Sequence, residues 1–180
     1  MTTPKRTATF SNHSRHLAIT QEMVDQKVAD ARANPRRREI LVLHDGDGDS
    51  LQRMLNAMEP GSYVRPHRHV TPPKAEGLVV LSGSLAFVAF DDEGEPDAES
   101  FLVLSRERGV LGIDYRAGLW HTFFALETGS VVYEVKPGPY DAATDKEFAS
   151  WAPEEGSPEA DEYLERLESL FRQRVGLPPR

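Results

Sequence analysis

The chain has 180 residues, a net charge of −8 and no cysteine. This length suits one domain with a substantial core, and the lack of thiols excludes disulfides, thiolate metal ligands and a cysteine nucleophile. The negative charge argues against nucleic acid as a partner, because binding to a phosphate backbone depends on clustered positive charge. No apolar run could span a membrane, and residues 1–20 lack the apolar core of a signal peptide, so we expect a cytoplasmic protein with no membrane partner.

The first predicted element is a helix over residues 20–33, within an N-terminal segment that we assign to residues 1–39. Thr20 is a suitable N-cap, apolar side chains recur at helical spacing up to Ala31, and Asn34-Pro35 ends the pattern. The basic run Arg36–Arg38 comes next. We interpret it as a solvated connection, with docking of an anionic ligand or a neighbouring subunit as the alternative.

Residues 40–140 have the pattern of a domain built from many strands. Short apolar runs alternate with Gly, Asp and Pro at close intervals, which indicates a sandwich or barrel. The acidic stretch 44–50 resembles the start of a calcium loop, but Ser50 and Asn56 replace the glycine and glutamate that such a loop requires, so we interpret it as a hairpin turn. The predicted strands are Ile40–His44, Leu51–Met58, Tyr63–Val70, Gly77–Leu81, Ser84–Asp91, Ser100–Ser105, Val110–Asp114, Trp120–Leu126 and Val131–Lys136.

Residues 141–180 are predicted to form a C-terminal extension that ends in a helix and belongs to the same structural domain. Ser157 and Pro158 provide an N-cap and a proline in the first turn. One face of the helix is apolar and carries Tyr163, Leu164, Leu167, Leu170 and Phe171.

Three histidines and a glutamate carry the main chemical signal. His67 and His69 are two residues apart in a predicted strand, so their side chains point the same way. Glu76 follows nearby, and His121 lies on a distant predicted strand. Mixed imidazole and carboxylate ligation suits iron, manganese, zinc, nickel or copper without selecting one of them. We therefore predict one divalent transition metal ion held by these four residues; a three-histidine site with Glu76 nearby but not bound is the alternative.

The six residues between His69 and Glu76 include Pro72-Pro73, so Glu76 is carried across a small loop. If strand geometry resumes at Lys74, then Lys74, Glu76 and Leu78 share one face and Glu76 points inward. A lysine on that face is a candidate for binding a substrate carboxylate or phosphate. The alternative is that Lys74 is simply exposed.

Alternation along the first histidine strand also places Tyr63 and Arg65 on the face of His67 and His69. Arg65 is a second candidate for binding an anionic substrate, unless it pairs with an acid at the mouth of the site. Tyr63, Tyr115 and Glu76 are candidates for an acid or base beside the ion. Phe123 has the parity of His121 and is the predicted wall of the substrate cavity.

Two stretches of the chain resemble the motifs of the cupin superfamily. The first runs from Gly61 through His67, His69 and Glu76 to Gly83, and the second from Gly112 through Gly118 to His121. The chain is most similar to the small cupin-fold metalloproteins of the WbuC type, as the segments 52–56, 134–140 and 145–156 also indicate. Together these stretches cover most of residues 36–156. The second motif departs from the usual pattern, because Arg116 replaces a proline and Ala125 an asparagine.

The resemblance implies an all-β fold: a cupin double-stranded β-helix, or jelly-roll barrel, with N-terminal and C-terminal helices. It also implies an association with surface-polysaccharide biosynthesis and a homodimer that pairs through sheet edges. We expect a metal-dependent isomerase, epimerase or lyase that acts on a small polar, sugar-derived ligand. An iron-dependent oxygenase and a non-catalytic metal or small-molecule binder are the alternatives that the sequence leaves open.

Overall fold

A computed structural model describes residues 8–13 and 15–180, which form mostly β-structure with two α-helices. Residues 1–7 and 14 of the predicted N-terminal segment lie outside the described residues. The helices are α1 (Gln21–Ala33) and α2 (Pro158–Val175), and a short 3-10 helix spans Ala98–Ser100. The strands are β1 (Ala8–Phe10), β2 (Arg38–Val42), β3 (Leu51–Met58), β4 (His67–Arg68), β5 (Glu76–Ser82), β6 (Ser84–Phe90), β7 (Leu102–Ser105), β8 (Gly112–Tyr115), β9 (Trp120–Ala125), β10 (Ser130–Pro137) and β11 (Glu147–Phe148).

The strands form two sheets. The first sheet has the order β1-β2-β3-β10-β5-β8, and the second has the order β11-β4-β9-β6-β7. Neighbouring strands are antiparallel except for β1 and β2. Across residues 8–13 and 15–180 neither sheet closes on itself, so the structure shows two sheets, and the predicted closed barrel is not shown.

The two sheets enclose an apolar core. Period-two alternation along the strands turns one side chain in two toward the opposite sheet. The first sheet contributes Leu78 and Val80 to this core, and the second contributes Phe87 and Phe123. The two sheets therefore pack face to face, with their inner faces in contact.

Glycine is required where the chain passes from the first sheet to the second and where β8 lies against β5. Gly83, between β5 and β6, has a positive φ of 69°, a conformation that residues with a Cβ rarely adopt. At Gly112 a Cβ would lie 2.2 Å from the carbonyl oxygen of Leu78, so only glycine lets β8 approach. That approach brings Tyr115 opposite Glu76 in the register of β5 and β8.

The helices cover the outer faces of the sheets, as their apolar faces predict. Val24 and Ala31 of α1 pack against the first sheet, and Leu167 and Phe171 of α2 pack against the second. Burying one such large side chain contributes about 1.5–3 kcal/mol to stability. The helix starts agree with the sequence prediction, and Thr20 caps α1 by accepting a hydrogen bond from the backbone of Met23. In the described part of the chain, neither helix combines the length and the apolar character that a membrane crossing requires.

The basic run Arg36–Arg38 is not the solvated connection that we expected. Arg36 and Arg38 both donate to the carboxylate of Glu155, at 2.7 and 2.6 Å. Arg38 is buried, and it also donates to the carbonyl oxygen of Tyr63. These two arginines therefore join the N-terminal segment to the C-terminal extension within one chain.

Candidate metal centre

The three histidines and the glutamate come together between the sheets. Their ligand atoms all lie within 4.8 Å of one another, and all four side chains are buried. His67 lies in β4, His69 directly after it, Glu76 at the start of β5, and His121 in β9. His67 and His121 are direct cross-strand partners. We call these four residues the metal cluster.

The tautomer of each histidine is set by a backbone carbonyl group. The Nδ1 atoms of His67 and His121 each lie 2.9 Å from the carbonyl oxygen two residues earlier in the chain. The Nδ1 atom of His69 contacts the carbonyl oxygen of Asp145. Because a carbonyl oxygen only accepts hydrogen bonds, Nδ1 carries the proton in each ring and Nε2 carries a lone pair. This arrangement is typical of histidines that bind a metal through Nε2.

Two buried polar atoms of the metal cluster have no hydrogen-bond partner among the described residues. They are Nε2 of His69 and Oε2 of Glu76, which lie 3.0 Å apart. Leaving such an atom unpaired costs about 1–3 kcal/mol. A cation between them would satisfy both, and Nε2 of His121 is 3.9 Å from the same carboxylate oxygen. The donor set of three imidazoles and one carboxylate therefore fits a divalent transition metal ion.

The protonation states also fit metal binding. Burial lowers the pKa of His67 well below its ordinary value and lowers the pKa of His121 to about 4, so both rings are neutral at pH 7. Burial acts to raise the pKa of Glu76, but opposing effects, of which the charge of Lys136 is the largest, hold that pKa well below its usual range. His67 and His121 thus offer neutral imidazoles and Glu76 an ionised carboxylate, the forms that ligate metals.

The hydroxyl group of Tyr115 lies beside the metal cluster. Its hydroxyl lies 3.1 Å from Nε2 of His121, on the strand that pairs with the start of β5. Burial and the negative charge of Glu76 raise the pKa of Tyr115 well above its ordinary value. The phenol therefore keeps its proton at neutral pH and can donate a hydrogen bond beside the metal cluster.

A buried ion-pair network adjoins the metal cluster. The carboxylate of Asp145 accepts hydrogen bonds from Lys74 at 2.9 Å and from Lys136 at 3.0 Å. Glu134 lies 3.9 Å from Lys136, and burial together with the charge of Glu76 raises the pKa of Glu134 to about 7. The network supplies the positive charge that keeps Glu76 ionised.

Several residues predicted for the site lie where alternation places them. Lys74 and Glu76 are buried while Ala75 between them is exposed, as expected if strand geometry resumes at Lys74. The ammonium of Lys74 is engaged by Asp145 and is not exposed to solvent. Phe123 lies on the inner face of the second sheet, in the apolar core next to the metal cluster.

The structure does not bring Tyr63 to the metal cluster. Residues 63–66 precede β4 and are not part of a strand, so the alternation that predicted a shared face does not extend to them. Val64 faces the inner core, while Tyr63 packs among side chains on the outer face of the second sheet. Its hydroxyl donates to the carbonyl oxygen of Pro153 at 3.0 Å, and its ring lies 5.9 Å from that of Tyr163.

The backbone of Arg65 contacts the metal cluster through its carbonyl oxygen, but the contacts of its side chain lie outside the cluster. Nη2 of the guanidinium donates to the carbonyl oxygen of Ala149 at 2.7 Å, the guanidinium lies 5.5 Å from the ring of Phe148, and Nε has no hydrogen-bond partner among the described residues. From the sequence we assigned no role to Lys136, Asp145 or Lys146. Of the three, only Lys136 had a recognisable sequence pattern, because it lies on the same strand face as Glu134 in an otherwise apolar run.

Comparisons with known proteins give one family match and weak structural similarity. The model of a family described as "Domain of unknown function (DUF6016)" matches residues 19–102, which include His67, His69 and Glu76 but not His121. No curated protein matches the chain.

Three solved structures illustrate the structural similarity. KdgF from Halomonas sp. is 18% identical, with a TM-score of 0.43 over 59% of this chain and 82% of that chain. The capsular polysaccharide assembling protein CapF from Staphylococcus aureus is 21% identical, with a TM-score of 0.46 over 61% of this chain and 31% of that chain. A variant of oxalate decarboxylase from Bacillus subtilis is 15% identical, with a TM-score of 0.40 over 73% of this chain and 30% of that chain.

Proposed function

We propose that the chain is a cupin that holds one divalent transition metal ion, such as iron, manganese, zinc or nickel, in the metal cluster. The observation that carries this proposal is the pair of buried, unpartnered atoms, Nε2 of His69 and Oε2 of Glu76, directed at one point. The resemblance of residues 61–83 and 112–121 to the two cupin motifs supports it. In this proposal the two facing sheets are the halves of a jelly-roll barrel.

The metal protein is further proposed to be an enzyme on a small polar molecule, acting as an isomerase, epimerase or lyase. A bound divalent ion supplies Lewis-acid polarisation of a carbonyl or hydroxyl group. Tyr115 holds a proton 3.1 Å from Nε2 of His121 and serves as the general acid that transfers it to a substrate oxygen. Phe87 and Phe123 line the inner side of the site and exclude water from it.

The resemblance to the WbuC type favours a sugar-derived substrate. Such a molecule carries adjacent oxygen atoms, which suit a divalent ion with open positions. The isomerisations, epimerisations and eliminations proposed here are those that remove a proton from a carbon next to a carbonyl group. A single exchange assay therefore detects these reactions.

The test is to load the purified protein with each metal and follow solvent deuterium exchange into a panel of sugar-derived carbonyl compounds by NMR. We expect exchange in the parent and about a hundredfold slower exchange in Tyr115→Phe, because that variant lacks the acidic proton. The matched control is Tyr133→Phe, a partly buried phenol beside α1 on the outer face of the first sheet.

The same samples separate the other functions. Oxygen consumption with iron and no deuterium exchange would replace this proposal with an iron-dependent oxygenase. Stoichiometric metal with neither activity would leave a non-catalytic binder. Equal exchange in the parent and in Tyr115→Phe would contradict the role given to Tyr115.

A further inference from the structure

Lys146 directly precedes β11 and follows Asp145, whose carbonyl oxygen contacts Nδ1 of His69 in the metal cluster. In the pairing of β11 with β4, Phe148 lies opposite His67, and their rings are 6.1 Å apart. Phe148 therefore points to the inner face of the second sheet. Lys146 is two residues earlier, the spacing at which side chains of extended chain share a face.

The charge of Lys146 acts on the whole metal cluster. After burial, it is the second cause of the lowered pKa of His67, and it also contributes to the lowered pKa of His121. Burial and the charge of Lys136 lower the pKa of Lys146, while the carboxylates of Glu134 and Glu76 act in the opposite direction. Together with the contact between the preceding carbonyl group and His69, these effects indicate that the Lys146 side chain lies near the metal cluster.

Lys146 differs from the two other lysines of this region in having no hydrogen bond or ion pair. Lys74 and Lys136 both donate to the carboxylate of Asp145. In the described part of the chain, no acceptor lies within hydrogen-bond distance of the Lys146 ammonium. The side chain is partly buried and keeps some access to solvent. It is therefore a cation that is available to a ligand.

We propose that Lys146 binds the carboxylate of a small organic acid whose other oxygen atoms face the metal cluster. This inference rests on the proposed function, since the second half of the ligand site is the bound ion. Three ammonium groups and three carboxylates meet here, so a divalent ion leaves an excess of positive charge that an anionic ligand neutralises.

A carboxylate fits this arrangement better than a phosphate group. Phosphate sites combine several donors, such as a helix N-terminus or an arginine fork. Here a single free ammonium stands beside the cluster, and the guanidinium of Arg65 is engaged by the carbonyl oxygen of Ala149. One lysine and one ion can neutralise a carboxylate between them.

The experiment measures malonate binding to the metal-loaded protein by calorimetry at low ionic strength. Malonamide is the neutral probe of the same shape, and inorganic phosphate is the competing anion. The variants are Lys146→Met and Lys146→Arg, with Arg106→Met as a control that removes one positive charge from an exposed turn. Metal content and thermal unfolding are recorded for each variant.

We expect Lys146→Met to weaken malonate binding by about tenfold or more, which corresponds to about 1.4 kcal/mol, while metal content stays unchanged. Lys146→Arg and Arg106→Met should bind malonate as the parent does, and malonamide should not distinguish the variants. Unchanged malonate binding in Lys146→Met, no malonate binding by the metal-loaded parent, or tighter binding of phosphate than malonate would overturn the inference. A parent that takes up no metal would instead show that the proposed function fails.

Discussion

Two charged regions of the molecule each contain a partly or fully buried carboxylate, and they differ in how its oxygen atoms are hydrogen-bonded. Both oxygens of Glu155 accept hydrogen bonds from Arg36, and one of them also accepts from Arg38. Glu76 lies deeper, yet its Oε2 atom has no hydrogen-bond partner among the described residues. Burial alone therefore does not mark a binding site. The metal cluster is distinguished by two unsatisfied ligand atoms that lie 3.0 Å apart within one group of metal-binding side chains.

The two regions also differ in their response to pH. Arginine stays charged across the accessible range, whereas the imidazole of His121 titrates within it. The pKa of His121 is about 6.5 in the unfolded chain and about 4 in the folded protein. The unfolded state therefore binds more protons in this interval, so this contribution is fully present above pH 6.5 and is lost as the pH falls toward 4.

For the metal-free protein we expect His121 to contribute a loss of about 3 kcal/mol in the free energy of unfolding over that interval. Chemical denaturation of the parent and of His121→Asn at several pH values measures it. The difference between the two proteins should shrink or change sign as the pH falls. A difference that is constant from pH 7 to pH 4 would show that His121 is not held neutral by burial.

Removing the charge of each carboxylate in turn tests which of them binds the metal. Glu76→Gln should weaken metal binding by about a hundredfold, because a ligand oxygen loses its charge. Glu155→Gln should leave metal affinity unchanged, since its partners are arginines of the same chain. Competition with a chelating dye gives both affinities. Equal losses in the two variants would mean that Glu76 acts only through general electrostatics.

We expect the arginines around Glu155 to contribute to the stability of the fold. Arg38→Ala leaves Glu155 with only Arg36 and also removes the donor to the carbonyl oxygen of Tyr63, so we expect a loss of about 2 kcal/mol in the free energy of unfolding. Metal content should not change. Urea denaturation of metal-loaded and metal-free samples tests this expectation, and a fall in metal content without a fall in stability would reverse the assignment of the two regions.

The smallest effect is expected at an exposed ion pair near the metal cluster. Arg68 pairs with Glu147 at 2.8 Å and with Asp92 at 3.2 Å, and its guanidinium lies 4.2 Å from the ring of Trp120. Arg68→Ala should cost no more than about 1 kcal/mol, because exposed pairs are screened by solvent. Thermal unfolding at low and high salt measures this cost. A larger, salt-independent loss would mean that β11 depends on Arg68 for its position.

The metal cluster could be predicted from the sequence because its rules are local. His67 and His69 share a face by simple alternation, and the same rule predicted the buried positions of Glu76 at the start of β5 and of Lys74 two residues before it. The helices were predictable for a similar reason, since caps and helical spacing are read over a few residues.

The remainder depends on contacts between distant residues. The prediction that Tyr63 faces the metal cluster was wrong because the chain before β4 is not a strand, so side-chain alternation does not apply there. Arg36 and Glu155 are 119 residues apart in the sequence, and no local pattern predicts that they pair. Lys146 directly precedes β11, a strand of two residues that is too short to give a periodic signal.

The most direct test of the metal centre is elemental analysis of the protein purified without a histidine tag. The parent is compared with the double variant His67→Ala/His121→Ala and with His44→Ala, which removes a buried histidine outside the metal cluster. We predict about one equivalent of a divalent transition metal in the parent and in His44→Ala, and almost none in the folded double variant. A parent without metal after reconstitution with iron, manganese, zinc and nickel, or equal metal in the parent and the double variant, would contradict the account.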